Sequence, residues 1–162
     1  MIDALICGIN GKMGKMLCSV IEADGDIRTA CGVDLTPDDK NRVYASFDDV
    51  EETPDVIIDF SSPAVLKKEL EWAVKRNLPV VLAATGYAEA DEELINAAAE
   101  KIPVFRTGNF ALGINLLVKL VKRAAEVLGE NFDIEIIERH HNQKVDAPSG
   151  TALMLADGAR SA

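Results

Sequence analysis

The sequence predicts an α/β protein: a doubly wound parallel sheet followed by the incomplete start of an α+β domain. Three observations predict this. Short apolar runs alternate with longer helical patterns up to about residue 105, a glycine-rich loop joins the first run to the first helix, and the rhythm changes after residue 110. Strands separated by helices must run parallel and be covered on both faces. The strands accordingly read as continuous apolar runs rather than alternating ones.

Taken in order, Ala4 to Cys7 is the first strand and ends at a glycine. Lys12 to Ala23 carries Met13, Met16, Leu17, Val20 and Ile21 at helical spacing. Thr29 to Val33 is the second strand and Val56 to Phe60 the third, followed by Ser61-Ser62-Pro63. Ser62 suits an N-cap and Pro63 the first turn of a helix that runs to about Arg76. Pro79 to Ala84 reads as the fourth strand, Ala88 to Lys101 as a helix, and Ile102 to Phe105 as the fifth strand. Beyond them, Ala111 to Leu128 is a mostly apolar helix ending at Gly129. Phe132 to Arg139 reads as a strand bearing charges, a polar loop follows, and a last helix opens near Ser149. One strand and two helices cannot make a self-sufficient sheet, because an isolated strand has no ladder partner. The expected division is therefore residues 1–110 and a partial second domain over residues 111–162.

The chain has 162 residues, 48% hydrophobic and 27% charged, which suits a globular protein with a real core. No apolar run reaches the ~18 residues that span a bilayer. The opening Met1-Ile2-Asp3-Ala4 has no basic region or cleavage site, so no signal peptide and a cytoplasmic location are expected. The formal net charge of −10 argues against non-specific nucleic-acid binding, and no membrane partner is expected either. An acidic chain that binds anions needs a local basic pocket. Cys7, Cys18 and Cys31 fit no zinc spacing and read as buried structural thiols.

Gly8-Ile9-Asn10-Gly11-Lys12-Met13-Gly14 joins the first strand to the first helix. Glycine permits the tight turn and the close approach of backbone N–H groups to a pyrophosphate, and the helix N-terminus adds partial positive charge. The GxxGxxG spacing is a weak variant of the dinucleotide motif, but its place between strand and helix is specific. Asp34 ends the second strand, where a Rossmann-type fold places a carboxylate for the adenosine ribose. A carboxylate there favours NADH over NADPH. Lys40 and Arg42 lie close enough in sequence to reach a 2′-phosphate, so NADH with NADPH tolerated is the expectation. The competing reading is a glycine turn with an unrelated surface Asp.

Arg139-His140-His141-Asn142-Gln143-Lys144 is the one dense basic stretch and holds both histidines. Ser149, Gly150 and Thr151 then open the last helix, where backbone N–H groups and hydroxyls make an anion site. Cations followed by a helix N-terminus suggest a substrate with more than one carboxylate. The imidazoles exchange protons near neutral pH, and a lysine crowded by another cation becomes a proton donor. The plainer readings are a solvated loop and a solvated Lys144. No metal is expected, since adjacent histidines on a strand point to opposite faces and no third ligand is evident. Ser149 is not in GxSxG, and no P-loop is present.

These residues together resemble the dihydrodipicolinate reductase family. The Gly8 to Gly14 loop is similar to its GxxGxMG loop, and Asp59-Phe60-Ser61-Ser62-Pro63 to its DF[ST]xP turn. Ala84-Thr85-Gly86-Tyr87 resembles its TTGF turn, with Ala83 and Ala84 in place of the usual Gly and Thr. Asn109-Phe110-Ala111-Leu112-Gly113-Ile114-Asn115 resembles NFSxGxN. The segment Glu138 to Ala152 is similar to ExHHxxKxDAPSGTA almost throughout.

The resemblance implies hydride transfer from a nicotinamide to a cyclic unsaturated dicarboxylate, with loss of water, in lysine biosynthesis. It implies that Gly8, Ile9, Asn10, Gly11, Lys12 and Met13 hold the pyrophosphate and Asp34 the ribose. Ala83, Ala84 and Thr85, with Thr107, Gly108, Asn109 and Phe110, line the nicotinamide side. His140 is the implied acid/base and Lys144 the proton donor, while His141, Ser149, Gly150 and Thr151 bind substrate carboxylates. Family members run well past residue 162, adding strands to the substrate domain on which a homotetramer is built. The expectation is a fragment or a short relative, with the cofactor site more complete than the substrate site. The alternatives are a nucleotide-binding module without catalysis, or another Rossmann dehydrogenase acting on an amino-acid-like substrate.

Overall fold

Six parallel strands form one sheet in the order β3-β2-β1-β4-β5-β6. They are β1 (Ile2–Cys7), β2 (Ile27–Val33), β3 (Val43–Tyr44), β4 (Val56–Asp59), β5 (Val80–Leu82) and β6 (Val104–Arg106). The computed structural model describes residues 1–144 and 147–162. The chain forms two compact units, Met1–Thr107 and Gly108–Ala162.

In the first unit the two faces of the sheet are filled by alternate residues of the same strands, the period-2 consequence of a pleated backbone. Leu5 and Cys7 of β1 and Ile57 of β4 face one core with Leu66, Leu70, Trp72, Ala73 and Ile95. That side holds α2 (Leu66–Arg76) and α3 (Glu89–Ala99). Ala4 and Ile6 face the other core, where Ile21 and Leu17 come from α1 (Lys12–Glu22). The sheet is thus covered on both sides, as its apolar strands require.

The order reverses between β1 and β4, both of which leave their carboxyl ends at one crevice. Ligands of open α/β sheets bind at such a switch point. The strand β3 escaped the sequence reading because two residues carry no period. It is held by Gly32 N–H on Arg42 O at 3.0 Å and Asp34 N–H on Tyr44 O at 2.9 Å. Residues Pro63–Val65 form a 3-10 turn ahead of α2, and Ser62 makes no side-chain cap bond, contrary to the expected capped α-helix. Short 3-10 turns are common at helix starts. Cys7 and Cys31 are buried as expected, whereas Cys18 on α1 is only half-buried, because it sits at the margin of the smaller core.

The second unit contains α4 (Leu112–Leu128) and α5 (Gly150–Arg160). They pack closely: a Cβ on Gly158 would lie 3.0 Å from Cγ1 of Val118. Phe132 to Arg139 is not a β-strand, which corrects the sequence expectation. No ladder partner for it occurs among the described residues, and a strand exists only by pairing. Among the described residues no helix is long and apolar enough to cross a membrane.

Candidate active site

The glycine loop is shaped by its own backbone. Gly8 N–H donates to Val33 O at 2.9 Å and Gly11 N–H to Gly8 O at 3.0 Å, which folds the loop back on itself. Gly8 has φ +76°, and a Cβ there would stand 2.9 Å from Cα of Ser61. Only glycine takes this conformation and this approach without cost. Gly14 is the close-packing glycine, since an added Cβ would lie 2.3 Å from Gly8 O. Gly11 is the N-cap of α1, and helix geometry leaves the first amides, including those of Lys12 and Met13, without intrahelical partners. These amides and the partial positive charge of the helix end form an anion cradle.

Asp34 stands directly beside that cradle. Its Oδ2 accepts the Asn10 N–H at 3.0 Å, and its Oδ1 lies 3.3 Å from Thr36 N and Thr36 Oγ1. The Asn10 side-chain amide donates to Thr36 O and Thr36 Oγ1, both at 2.9 Å. The loop after β2 is therefore clamped to the glycine loop, a contact the sequence did not announce. Arg42 is turned to Glu52, with Nε 3.7 Å from Oε1. Of the two cations expected near a 2′-phosphate, this one is engaged elsewhere. The residues fit a dinucleotide: an amide cradle for diphosphate with a carboxylate beside it for ribose hydroxyls.

At the carboxyl end of β5, Ala83 N–H donates to Asp59 O at 2.9 Å and Ala84 is buried, while Thr85 is exposed. Thr107, after β6, donates its N–H to Leu82 O at 3.3 Å. Below the crevice lies a cluster the sequence reading did not single out. Asp59 and Glu69 are fully buried, and one oxygen of each and the Cys7 sulfur all lie within 4.8 Å of one another. Asp59 accepts hydrogen bonds from Ser61 N–H at 2.7 Å, from the Ser61 hydroxyl, and from Tyr87 OH at 3.4 Å. Both Glu69 oxygens lack a hydrogen-bond partner among the described residues. Burial, then the nearby Asp59, pushes the Glu69 carboxyl well above its usual range. Burial raises Asp59 too, but the Ser61 and Tyr87 donors oppose it.

In the second unit, Gly108, Asn109 and Phe110 precede α4. Asn109 Nδ2 donates to Thr151 Oγ1 at 3.3 Å, and Asn109 Oδ1 accepts Ala111 N–H at 2.8 Å. Ser149 caps α5, its Oγ accepting Ala152 N–H at 3.1 Å. The helix provides no partner for the N–H groups of Gly150 and Thr151. Glu138 joins the basic stretch to this helix end: Oε1 accepts Ser149 N–H at 2.9 Å and Oε2 lies 2.9 Å from Nε2 of His140. The Ser149 hydroxyl and N–H, then His140, hold the Glu138 carboxyl down at about 2. His141 Nδ1 accepts Gln143 N–H at 3.2 Å, and Lys144 N–H donates to His141 O at 3.2 Å, a turn that ends the stretch. Val145 and Asp146 of the signature lie outside the described residues. His140, Ser149, Gly150 and Thr151 thus gather around one helix start, with Glu138 as the missed member.

Two family models match the chain: "Dihydrodipicolinate reductase, N-terminus" over residues 2–110 and "Dihydrodipicolinate reductase, C-terminus" over residues 113–162. The chain belongs to the dihydrodipicolinate reductase family. It is 46% identical over 163 residues to the 4-hydroxy-tetrahydrodipicolinate reductase of Caldanaerobacter subterraneus subsp. tengcongensis, covering 97% of this chain and 62% of that protein. The protein of the same name from Clostridium tetani is 40% identical over 160 residues, again covering 97% and 62%. Among solved structures, the dipicolinate-bound dihydrodipicolinate reductase from Paenisporosarcina sp. TG-14 aligns with a TM-score of 0.79 at 27% identity. That alignment covers 99% of this chain and 66% of the other. The chain thus spans a little under two thirds of the length of these reductases.

Membership in the dihydrodipicolinate reductase family accounts for the motifs quoted above. Glu69 lies outside those motifs. A signal for that residue was present: Leu66, Glu69, Leu70 and Ala73 fall at i, i+3, i+4 and i+7, which puts an acid on the apolar face of α2.

Proposed function

We propose that the chain carries the nucleotide half-site and the proton-transfer signature of a reductase acting on 4-hydroxy-tetrahydrodipicolinate. The observation that carries this reading is the folded glycine loop with Asp34 bonded to Asn10 at the carboxyl ends of β1 and β2. Gly8, Ile9, Asn10, Gly11, Lys12 and Met13 hold the diphosphate and Asp34 the ribose, with NADH preferred and NADPH tolerated. Ala83 to Thr85 and Thr107 to Phe110 serve the nicotinamide. The bound nicotinamide supplies a hydride.

The chain's own residues supply orientation and protons. Gly150 and Thr151 offer backbone N–H groups to a substrate carboxylate, and His141 and Ser149 assist. Lys144 gives the proton that completes the reduction, and His140 exchanges protons beside it. One hydride and one proton enter and one water leaves, giving tetrahydrodipicolinate on the diaminopimelate route to lysine. On this reading the partner is a small dicarboxylate, the complete enzyme is the homotetramer implied by the family, and the place of action is the cytoplasm.

A second reading is a nucleotide-binding module without turnover. It is favoured by the segment from Phe132 to Arg139, which lacks a ladder partner among the described residues. Calorimetric titration with NADH, then with pyridine-2,6-dicarboxylate, tests the two half-sites in turn. Binding of both supports the reductase. NADH binding with neither diacid binding nor NADH consumption supports the module. Absence of NADH binding removes both readings.

A further inference from the structure

The buried acids beneath the crevice take no part in the reaction above, yet they are tied to the nucleotide loop. Asp59 holds Ser61 through its N–H and hydroxyl, and the Ser61 backbone is the wall against which Gly8 lies. Cys7, the residue before Gly8, donates its thiol to Ser61 Oγ at 3.5 Å. Glu69 comes from α2 and brings a second carboxyl to the same spot without a hydrogen bond to any described residue. Like charges at this separation in a buried site cannot both persist. One proton serves the pair. It rests on Glu69, because Asp59 has three donors that favour its anion and Glu69 has none.

We propose that Glu69, in its uncharged form, is a positioning residue for the nucleotide loop: it leaves Asp59 free to hold Ser61, and through Ser61 it fixes the wall behind Gly8. The proposal rests on the nucleotide-binding reading for its consequence, but its geometry stands alone. The groups that face Glu69 are Asp59 of β4, Cys7 of β1 and Tyr87 after β5. Arg106 of β6 stands one step further out, its guanidinium 5.1 Å from the Tyr87 ring. The Glu69 helix end favours a negative charge, yet full burial beside another acid outweighs it. When rising pH removes the shared proton, two anions face one another. Relief requires either moving the first turn of α2 or pulling Asp59 off Ser61, and each displaces the wall behind Gly8. The Cys7 thiol and Tyr87 hydroxyl are both pushed up from their ordinary values, mainly by burial.

The test follows the backbone amide resonances of Gly8 and Ser61 in the nucleotide-free chain from acidic to alkaline pH, alongside NADH affinity. The wild type should show one transition at both amides above the ordinary carboxyl range, with affinity falling above its midpoint by up to about tenfold per pH unit, the limit for one linked proton. Glu69→Gln should abolish the transition in both readouts, and Tyr87→Phe should retain it. A transition that persists in Glu69→Gln, or amides that do not respond to pH in the wild type, overturns the proposal. So does stoichiometric metal in the purified protein, since a dication would keep both carboxylates ionised. If the wild type binds no NADH, the functional reading fails while the amide titration still decides this one. Circular dichroism of each variant separates loss of the fold from loss of the transition.

Discussion

The backbone N–H of Asn10 donates to Oδ2 of Asp34 at 3.0 Å, so the acid proposed for the ribose is also a strut of the glycine loop. Asp34→Asn keeps the shape but removes the charge. Hydrogen bonds to charged groups contribute about 1.5–3 kcal/mol, so NADH affinity should fall by roughly 10- to 100-fold. NADPH affinity should fall less, because the repulsion of its 2′-phosphate goes too. Fluorescence titration with both nucleotides checks this. Equal losses would reduce Asp34 to loop support.

Gly14 meets Gly8 O and the Ile9 backbone where a side chain would stand, at 2.3 and 2.7 Å. Gly14→Ala should destabilise the first unit by about 3 kcal/mol, the upper part of the usual overpacking range. Gly25 has nothing within 4 Å of a built Cβ, so Gly25→Ala should change stability little. Urea unfolding of the pair measures the contrast, and similar midpoints would contradict the packing.

Glu69 bears on stability as well as on the loop. A buried polar group without partners costs about 1–3 kcal/mol, so Glu69→Leu should stabilise the chain by about that amount. The folded pKa lies above the ordinary 4.5, so between the two values the folded state holds a proton the unfolded state has lost. Stability therefore declines as pH rises above 4.5 until the folded pKa is passed, and Glu69→Leu should flatten that decline. Unfolding curves at acidic, neutral and alkaline pH test the slope, and an unchanged slope would count against a neutral buried Glu69.

Glu138 behaves in the opposite sense. Its folded pKa of about 2 lies below the ordinary 4.5, so its contribution is present above 4.5 and lost as pH falls toward 2. Glu138→Gln should remove this acid transition from the start of α5. Amide exchange at Ser149 reports it, and an acid transition that survives in the variant would rule Glu138 out as its source.

Lys144→Ala should abolish turnover while NADH binding persists, because the proton-donor role proposed for it is needed only for the chemical step. Stopped-flow NADH oxidation with parallel calorimetry separates the two. Turnover at the wild-type rate would reject the role proposed for Lys144.

The alternation of apolar runs and helical spacings, the glycine loop and the acid at residue 34 were legible in the residues, because each depends on local periodicity or local backbone geometry. So was the opening of the last helix near Ser149, although the cap bond from the Ala152 amide to the Ser149 hydroxyl was seen only in the structure. Other features belong to the tertiary structure alone. Val43–Tyr44 becomes a strand only because β2 offers an edge, and Phe132 to Arg139 fails to become one because no such edge is present among the described residues. The meeting of Glu69 with Asp59, and of Glu138 with Ser149, was decided by packing. Local sequence sets which face of an element a side chain occupies. Which charges confront one another across faces depends on how the elements are brought together, and burial then sets their protonation.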